Sequence, residues 1–312
     1  MDSKRIISKY HGQNPGPLLI VFGGMHGNEP AGVEAIHMMS KMLEVEPITN
    51  PEFEYNGTFL GMIGNLKAFH VNQRFIDKDL NRSFTKENVE YVDRTDESEL
   101  ENELLEIKQI LQVVRETIEE VKPEKVVVLD LHTTSSFGGI FTIATDDPES
   151  IKIAVELHAP VIKGMLNGIK GTTLHYFTTE NFGIDMIPVT FESGQHYEDL
   201  SVNRAIAAIT NCMRTIGSVS PEHVENQHDT LLIEHSKNLP KVSELISKHN
   251  IVEGDDFEMN PNYKNFQKIQ SGEVIAQDSN GPIEAPEDAL LLMPLYQDQG
   301  EDGFFLIKKL EY

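Results

Sequence analysis

The chain has 312 residues, 39% of them apolar and 24% charged, which is an ordinary globular mix with room for one large core or a core plus a smaller module. Its formal net charge of -24 argues against nucleic acid and anionic membranes as partners, and no apolar run approaches the roughly 20 residues of a spanning helix. The single cysteine, Cys212, excludes an internal disulfide and any multi-thiolate zinc site, so a reduced cytoplasmic compartment is expected and a metal would have to rest on histidine and carboxylate.

The opening stretch MDSKRIISKY lacks an apolar segment followed by small residues, so it does not read as a secretory leader. Leu18 to Phe22 is a short apolar run stopped by Gly23-Gly24 and reads as a buried strand. Pro30 then suits the first turn of a helix through Val33, Ile36, Met39 and Leu43, which share one face. Phe59 to Ile63 reads as a second strand. Glu97 to Val121 reads as a long amphipathic helix ended by Lys122-Pro123. Val126 to Leu131, β-branched and almost wholly apolar, suits a central strand covered on both faces. Strands at Ile140 to Ala144 and Pro188 to Phe191 alternate with helices over Glu149 to Met165 and Val202 to Ile216. This alternation predicts an α/β sandwich on a mostly parallel or mixed sheet. After about Ser218 the character changes. Turn pairs such as Asn260-Pro261, Ser271-Gly272 and Asn280-Gly281 mark a small β-rich module, which gives domains over 1–218 and 219–312.

Four segments carry the chemistry. The first is Gly23 to Pro30, where His26 and Glu29 lie three apart in a glycine-rich strand-to-helix turn and can converge on one cation. An isolated His-x-x-Glu is a weak signal, but its position at the carboxyl end of a strand is where α/β sheets gather ligands. The second is Asp130-Leu131-His132, at the end of the central strand. Residues two apart in a strand share a face, so Asp130 and His132 point to one pocket. Together His26, Glu29 and His132 complete a set of two histidines and a carboxylate that suits catalytic zinc with a position left open. Asp130 would then orient a ligand histidine, most naturally His26. The third is Arg74 with Asp79-Leu80-Asn81-Arg82, a cationic pocket in an acidic protein, where Arg82 and Asn81 suit a carboxylate. The fourth is Glu192-Ser193-Gly194, a carboxylate at a strand end that suits a general base. His37, His175 and His196 lie close to these segments and are read as non-ligands, and Cys212 as a buried apolar position.

In order and spacing, these segments resemble the succinylglutamate desuccinylase/aspartoacylase family, a branch of the zinc carboxypeptidases. The matching stretches are GGMHGNEPAG (Gly23 to Gly32), GNLKAFHVNQRFIDKDLNRSF (Gly64 to Phe84), Asp130-Leu131-His132 and Glu192-Ser193. Gly272, Ala285-Pro286, Met293-Pro294 and Gly300 in the C-terminal stretch match as well. The resemblance implies a zinc-carboxypeptidase-like αβα sandwich with a mixed central sheet and a small C-terminal β-rich domain. It implies one Zn2+ per chain on His26, Glu29 and His132. Arg74 would polarise the scissile carbonyl, Asn81 and Arg82 would bind the substrate carboxylate, and Glu192 would activate the attacking water. The substrate would be a small anionic amide. A homodimer is left open. A carboxypeptidase acting on peptides and a non-catalytic metal-binding protein are the alternatives. Two features depart from the family pattern. No Lys or Arg occurs from Gly171 to Phe191, where a second carboxylate clamp would be expected, which argues against acetylaspartate. A C-terminal tyrosine has only Tyr296 nearby, with Phe304 and Phe305 in the aligned place.

Overall fold

A computed structural model describes residues 4–223, 227–252 and 254–310; the first three residues of the stretch read for a leader lie outside it. Among the described residues, eleven strands form one mixed sheet, in the order β1-β3-β2-β4-β7-β5-β6-β8-β14-β13-β10. The strands are β1 (Ile6–His11), β2 (Asn14–Gly23), β3 (Asn56–Ile63), β4 (Lys125–Thr134), β5 (Phe141–Ala144), β6 (Val161–Lys163), β7 (Asp185–Gln195), β8 (Val242–Asn250), β9 (Glu258–Met259), β10 (Gln267–Ile269), β11 (Val274–Asp278), β12 (Gly281–Glu284), β13 (Ala289–Leu292) and β14 (Asp302–Lys309). The centre, β3-β2-β4-β7, is parallel. A small antiparallel sheet, β12-β11-β9, covers the C-terminal end.

The alternation of side chains along the central strands builds the layers. Leu19, Val21, Val127 and Leu129 face the helices Pro30–Thr49 and Ser201–Thr215, packing on Ile36, Met39, Ala205 and Ile209. Leu18, Ile20, Val126 and Val128 face the opposite way, onto Ile107, Ile110 and Val114 of the helix Asn102–Val121. Each of these strand residues is fully buried, and burying such a side chain contributes roughly 1.5–3 kcal/mol. The α/β sandwich read from the alternation is therefore present, with helices on both faces as the resemblance implied.

Three details differ from the sequence reading. The helix expected over Glu149 to Met165 stops at Glu156, His158 turns left-handed at φ 52°, and the chain re-enters the sheet as β6. Pro160 accounts for this, because the residue before a proline is pushed out of the helical region. The helix expected from Glu97 begins at Asn102, after a short 3-10 turn over Glu97–Glu99. The strands after residue 219 also extend the main sheet: β8 pairs in parallel with β6 and antiparallel with β14.

Candidate metal centre and active site

The parallel strands deliver the site. In the β2–β3–β4–β7 register, Gly23 lies beside Ile63 and Leu131, and His132 lies beside Glu192. The carboxyl ends of β2, β4 and β7 therefore meet at one point, the usual place for ligands in such sheets.

His26 and Glu29 occupy the turn after β2, and the glycines there are structural. Gly24 has φ +66°, and a Cβ on Gly27 would stand 2.1 Å from the Ala68 carbonyl carbon, so the turn can lie against the helix Leu66–Val71 only without a side chain. The two side chains then face His132 from β4. The ligand atoms of His26, Glu29 and His132 all lie within 4.8 Å of one another, and all three residues are buried.

Carboxylates outside this trio fix the imidazoles. His26 Nε2 lies 3.1 Å from Asp79 Oδ1, and His132 Nε2 lies 3.1 Å from Asp130 Oδ2. With Nε2–H donated to those acids, each Nδ1 turns inward, His26 Nδ1 to Glu29 Oε1 at 2.8 Å and His132 Nδ1 to Glu29 Oε2 at 3.1 Å. The expectation that Asp130 would orient His26 is thus corrected. Asp130 and His132 share a face of the same strand, so Asp130 serves its own neighbour, and Asp79 serves His26. Thr173 Oγ1 donates to Asp130 Oδ2 at 2.6 Å and holds it in place.

The electrostatics follow from burial opposed by charge. Burial works against the Glu29 charge, but the two imidazoles overcome it and hold the carboxyl well below the usual range. Burial likewise opposes charge on His132, yet Asp130 and Glu29 raise its pKa well above the ordinary value. Asp79 behaves like Glu29: His26 and Arg74 outweigh its burial and lower it. Glu192 is the exception. Burial pushes it up to about 8, and the attraction of His132 and Arg74 offsets only part of that. Its Oε2 is buried without a protein hydrogen-bond partner.

The loop after the helix Leu66–Val71 carries Arg74 to Arg82. Arg74 Nη2 donates to Asp79 Oδ2 at 2.9 Å, and its Nη1 lies 3.6 Å from Glu29 Oε1. Arg82 Nη1 donates to Asn81 O at 2.8 Å, and its Nη2 donates to Asp302 Oδ2 at 2.7 Å. Burial opposes the Arg82 charge, but Asp79 and Asp302 overcome it and raise its pKa. Asn81 sits behind His132. Its Nδ2 is 3.3 Å from His132 Nε2, and its Oδ1 accepts from Thr173 N at 3.0 Å.

A cavity of about 90 Å3 opens on this centre. His26, Glu29, Arg74, Arg82 and Glu192 line it, whereas Asn81 and Asp130 do not. The segment from Met293 to Asp302 closes its far side. Gln297 Oε1 accepts from Asn28 Nδ2 at 2.8 Å and from His196 Nε2 at 3.1 Å, and Gln299 Oε1 accepts from Arg74 N at 3.0 Å. His196 accepts from the Thr133 hydroxyl at 2.7 Å, so its two nitrogens serve the closing segment and β4. Tyr296 points away, its hydroxyl donating to Asn260 O at 2.7 Å, while Phe305 lines the cavity. A larger cleft, of about 940 Å3, is lined by His11 to Pro17, where β1 passes into β2, and by Glu120 to Lys125, and holds none of the residues above.

Sequence reasoning missed Glu103. This buried carboxylate accepts from Ile76 N at 2.7 Å, Asp77 N at 3.0 Å, Lys78 N at 3.2 Å and Asn65 Nδ2 at 3.0 Å. It shapes the loop that carries Arg74 and Asp79. Its only signal was an acidic residue on the apolar side of the helix starting at Asn102.

Fold and site together define an α/β protein with a buried His-Glu-His group, able to hold a cation, at the carboxyl ends of a parallel sheet. A family profile described as succinylglutamate desuccinylase/aspartoacylase catalytic domain matches residues 15–216. The chain belongs to the succinylglutamate desuccinylase/aspartoacylase family. A probable aspartoacylase from Nostoc sp. is 36% identical over 138 residues, 44% of this chain and 42% of that protein. The match thus spans less than half the length of that relative. A succinylglutamate desuccinylase from Shewanella putrefaciens is 25% identical over 299 residues, 88% of this chain and 77% of that protein. The crystal structure of a succinylglutamate desuccinylase/aspartoacylase from Rhodobacter sphaeroides shares the fold, with a TM-score of 0.64 at 16% identity, over 96% of this chain and 86% of that one.

Proposed function

We propose that this protein hydrolyses the amide bond of a small N-acyl amino acid or related carboxylate-bearing amide, using one divalent cation, zinc, held by His26, Glu29 and His132. The observation that carries the reading is the convergence of these three buried side chains beside Glu192. The donor chemistry fits a cation. Both imidazoles present Nδ1 inward and have Nε2 committed to carboxylates, the arrangement that fixes the tautomer of ligand histidines. Two nitrogens and one carboxylate suit zinc better than a hard, oxygen-loving ion.

When bound, the cation supplies Lewis acidity toward the scissile carbonyl and the attacking water. The protein's own groups do the rest. Glu192 takes a proton from the attacking water and passes it to the leaving amine nitrogen; its Oε2, buried without a protein hydrogen-bond partner, is open to that exchange. Arg74, beside Glu29, places a fixed positive charge where the carbonyl oxygen becomes negative. Arg82 lines the cavity and receives the substrate carboxylate; Asn81, expected beside it in that role, lies outside the lining with its Oδ1 held by Thr173 N, and takes no part in binding. The Met293–Asp302 segment keeps the cavity small, which favours small amides over peptides. The family profile over residues 15–216 supports a catalytic unit of residues 1–218, with 219–312 as the C-terminal unit that closes it. No described helix is long and apolar enough to cross a membrane, and a cytoplasmic setting, suggested by the single buried Cys212, belongs to this proposal.

The test is a hydrolysis screen of acetyl-, succinyl- and formyl-amino acids with zinc-loaded protein, alongside a tripeptide. The reading expects turnover of N-acyl amino acids that exceeds turnover of the tripeptide. Comparable rates on the tripeptide would favour a carboxypeptidase.

A further inference from the structure

The cavity carries more information about its substrate than the catalytic groups require. Among the described residues, only Arg74 and Arg82 bring positive charge to its lining. Arg74 is committed to Asp79 and Glu29. Arg82 is engaged by Asp302, whose other oxygen accepts from Lys248 Nζ at 2.7 Å. Asp302 thus stands between two cations, with its side chain only 8% exposed. Arg82, Lys248 and Asp302 together carry one net positive charge, and Glu301 adds a further carboxylate to the lining. Beyond the catalytic groups the rest of the wall brings no further cation: it is apolar at Ile143, Met165 and Phe305 and polar but uncharged at Thr133, Ser135 and Gln297.

A single substrate carboxylate can be matched by this cluster, with Asp302 retained by Lys248 as Arg82 turns to the ligand. A second carboxylate would find uncharged side chains or Glu301 and no further cation, and leaving water for a place without a counter-charge is costly. We infer that the substrate class is an N-acyl amide with one carboxylate and an uncharged remainder, and that Asp302 is the residue that excludes dicarboxylates. This rests on the deacylase reading above and sharpens it. Asp302 is a specificity-determining residue, since it acts through Arg82 and the charge of the wall.

The experiment compares kcat/KM of the zinc-loaded protein for N-acetyl-L-leucine and N-acetyl-L-methionine with that for N-acetyl-L-aspartate and N-succinyl-L-glutamate. The apolar substrates are expected to lead by about tenfold or more, since a site that cannot pair a buried charge rejects it strongly. Asp302→Asn frees one positive charge, so it is expected to lower KM for the dicarboxylates severalfold and to narrow the gap. A merely structural role for Asp302 would instead weaken all four substrates together, and that result contradicts its assignment. The wild-type comparison decides the substrate class even if the variant fails to fold. Faster turnover of the dicarboxylates overturns the inference and leaves the deacylase reading standing. Hydrolysis of none of the four overturns both.

Discussion

Glu192 shows how one side chain's surroundings prepare it for chemistry. In the cation-free protein burial raises its pKa to about 8, while its neighbour Glu29 is held low by the two imidazoles. Glu192→Gln keeps the shape and removes the base. It is expected to cut kcat by about 10²–10⁴-fold while zinc stoichiometry stays at that of the wild type. Unchanged hydrolysis would remove Glu192 from the role. The same pKa has a consequence for stability in chelator-treated protein. A carboxyl raised from 4.5 to about 8 in the folded state holds a proton that the unfolded chain has released between those two values. Stability from this group is therefore full below about 4.5 and falls as pH rises toward 8. Chemical denaturation at pH 5 and pH 8 is expected to show a smaller loss in Glu192→Gln than in the wild type. Asp79→Asn tests the histidine geometry. Losing the carboxylate behind His26 Nε2 is expected to weaken zinc affinity by about 10–100-fold, read by competition with a chromophoric chelator.

At the scale of elements, the site depends on how loops are pinned to the sheet. The loop over residues 72–82 has little regular structure, yet it carries Arg74, Asp79 and Arg82. Glu103 substitutes for a missing strand partner by accepting three of its backbone N–H groups. Glu103→Ala leaves those donors unpaired and is expected to cost about 1–3 kcal/mol of stability. It should also lower kcat/KM by loosening Arg74, and calorimetry with steady-state kinetics checks both. The strands were legible in the sequence because their signal is local: VVVLDL reads as a central strand on composition alone. His26, Glu29 and His132 were legible because glycine turns and strand ends mark where side chains gather. The pairing of Asp79 with His26 was not, since it joins residues 53 apart through a loop without periodicity. The break at His158 is not legible in the apolar helical pattern of Glu149 to Met165; its signal is Pro160, which disfavours helix at the residue before it. Gln297, Gln299 and Asp302 reach the site from the C-terminal stretch, and no local pattern could announce them.

Over the described residues, one sheet runs from β1 to the C-terminal strands, so the segment closing the cavity is fixed to the scaffold that bears the ligands. Folding therefore assembles the cation site from two distant stretches, the turn after β2 and the end of β4, and a cation bound there stabilises the folded state alone. Binding is expected to release protons, because His132, held protonated by Asp130 and Glu29 against its burial, must lose its proton to become a ligand. Calorimetric titration with zinc in buffers of different ionisation enthalpy reads that release directly. A buffer-independent heat would contradict the protonation described for His132.

The most direct test joins metal to chemistry: zinc content by dialysis and N-acyl amino acid hydrolysis, measured on the same samples of wild type, His26→Ala and His132→Ala. The account expects one zinc per wild-type chain, little or none in either variant, and hydrolysis that follows zinc content and returns when chelated wild type is reloaded. Hydrolysis that persists in the chelated protein or in either variant would contradict it.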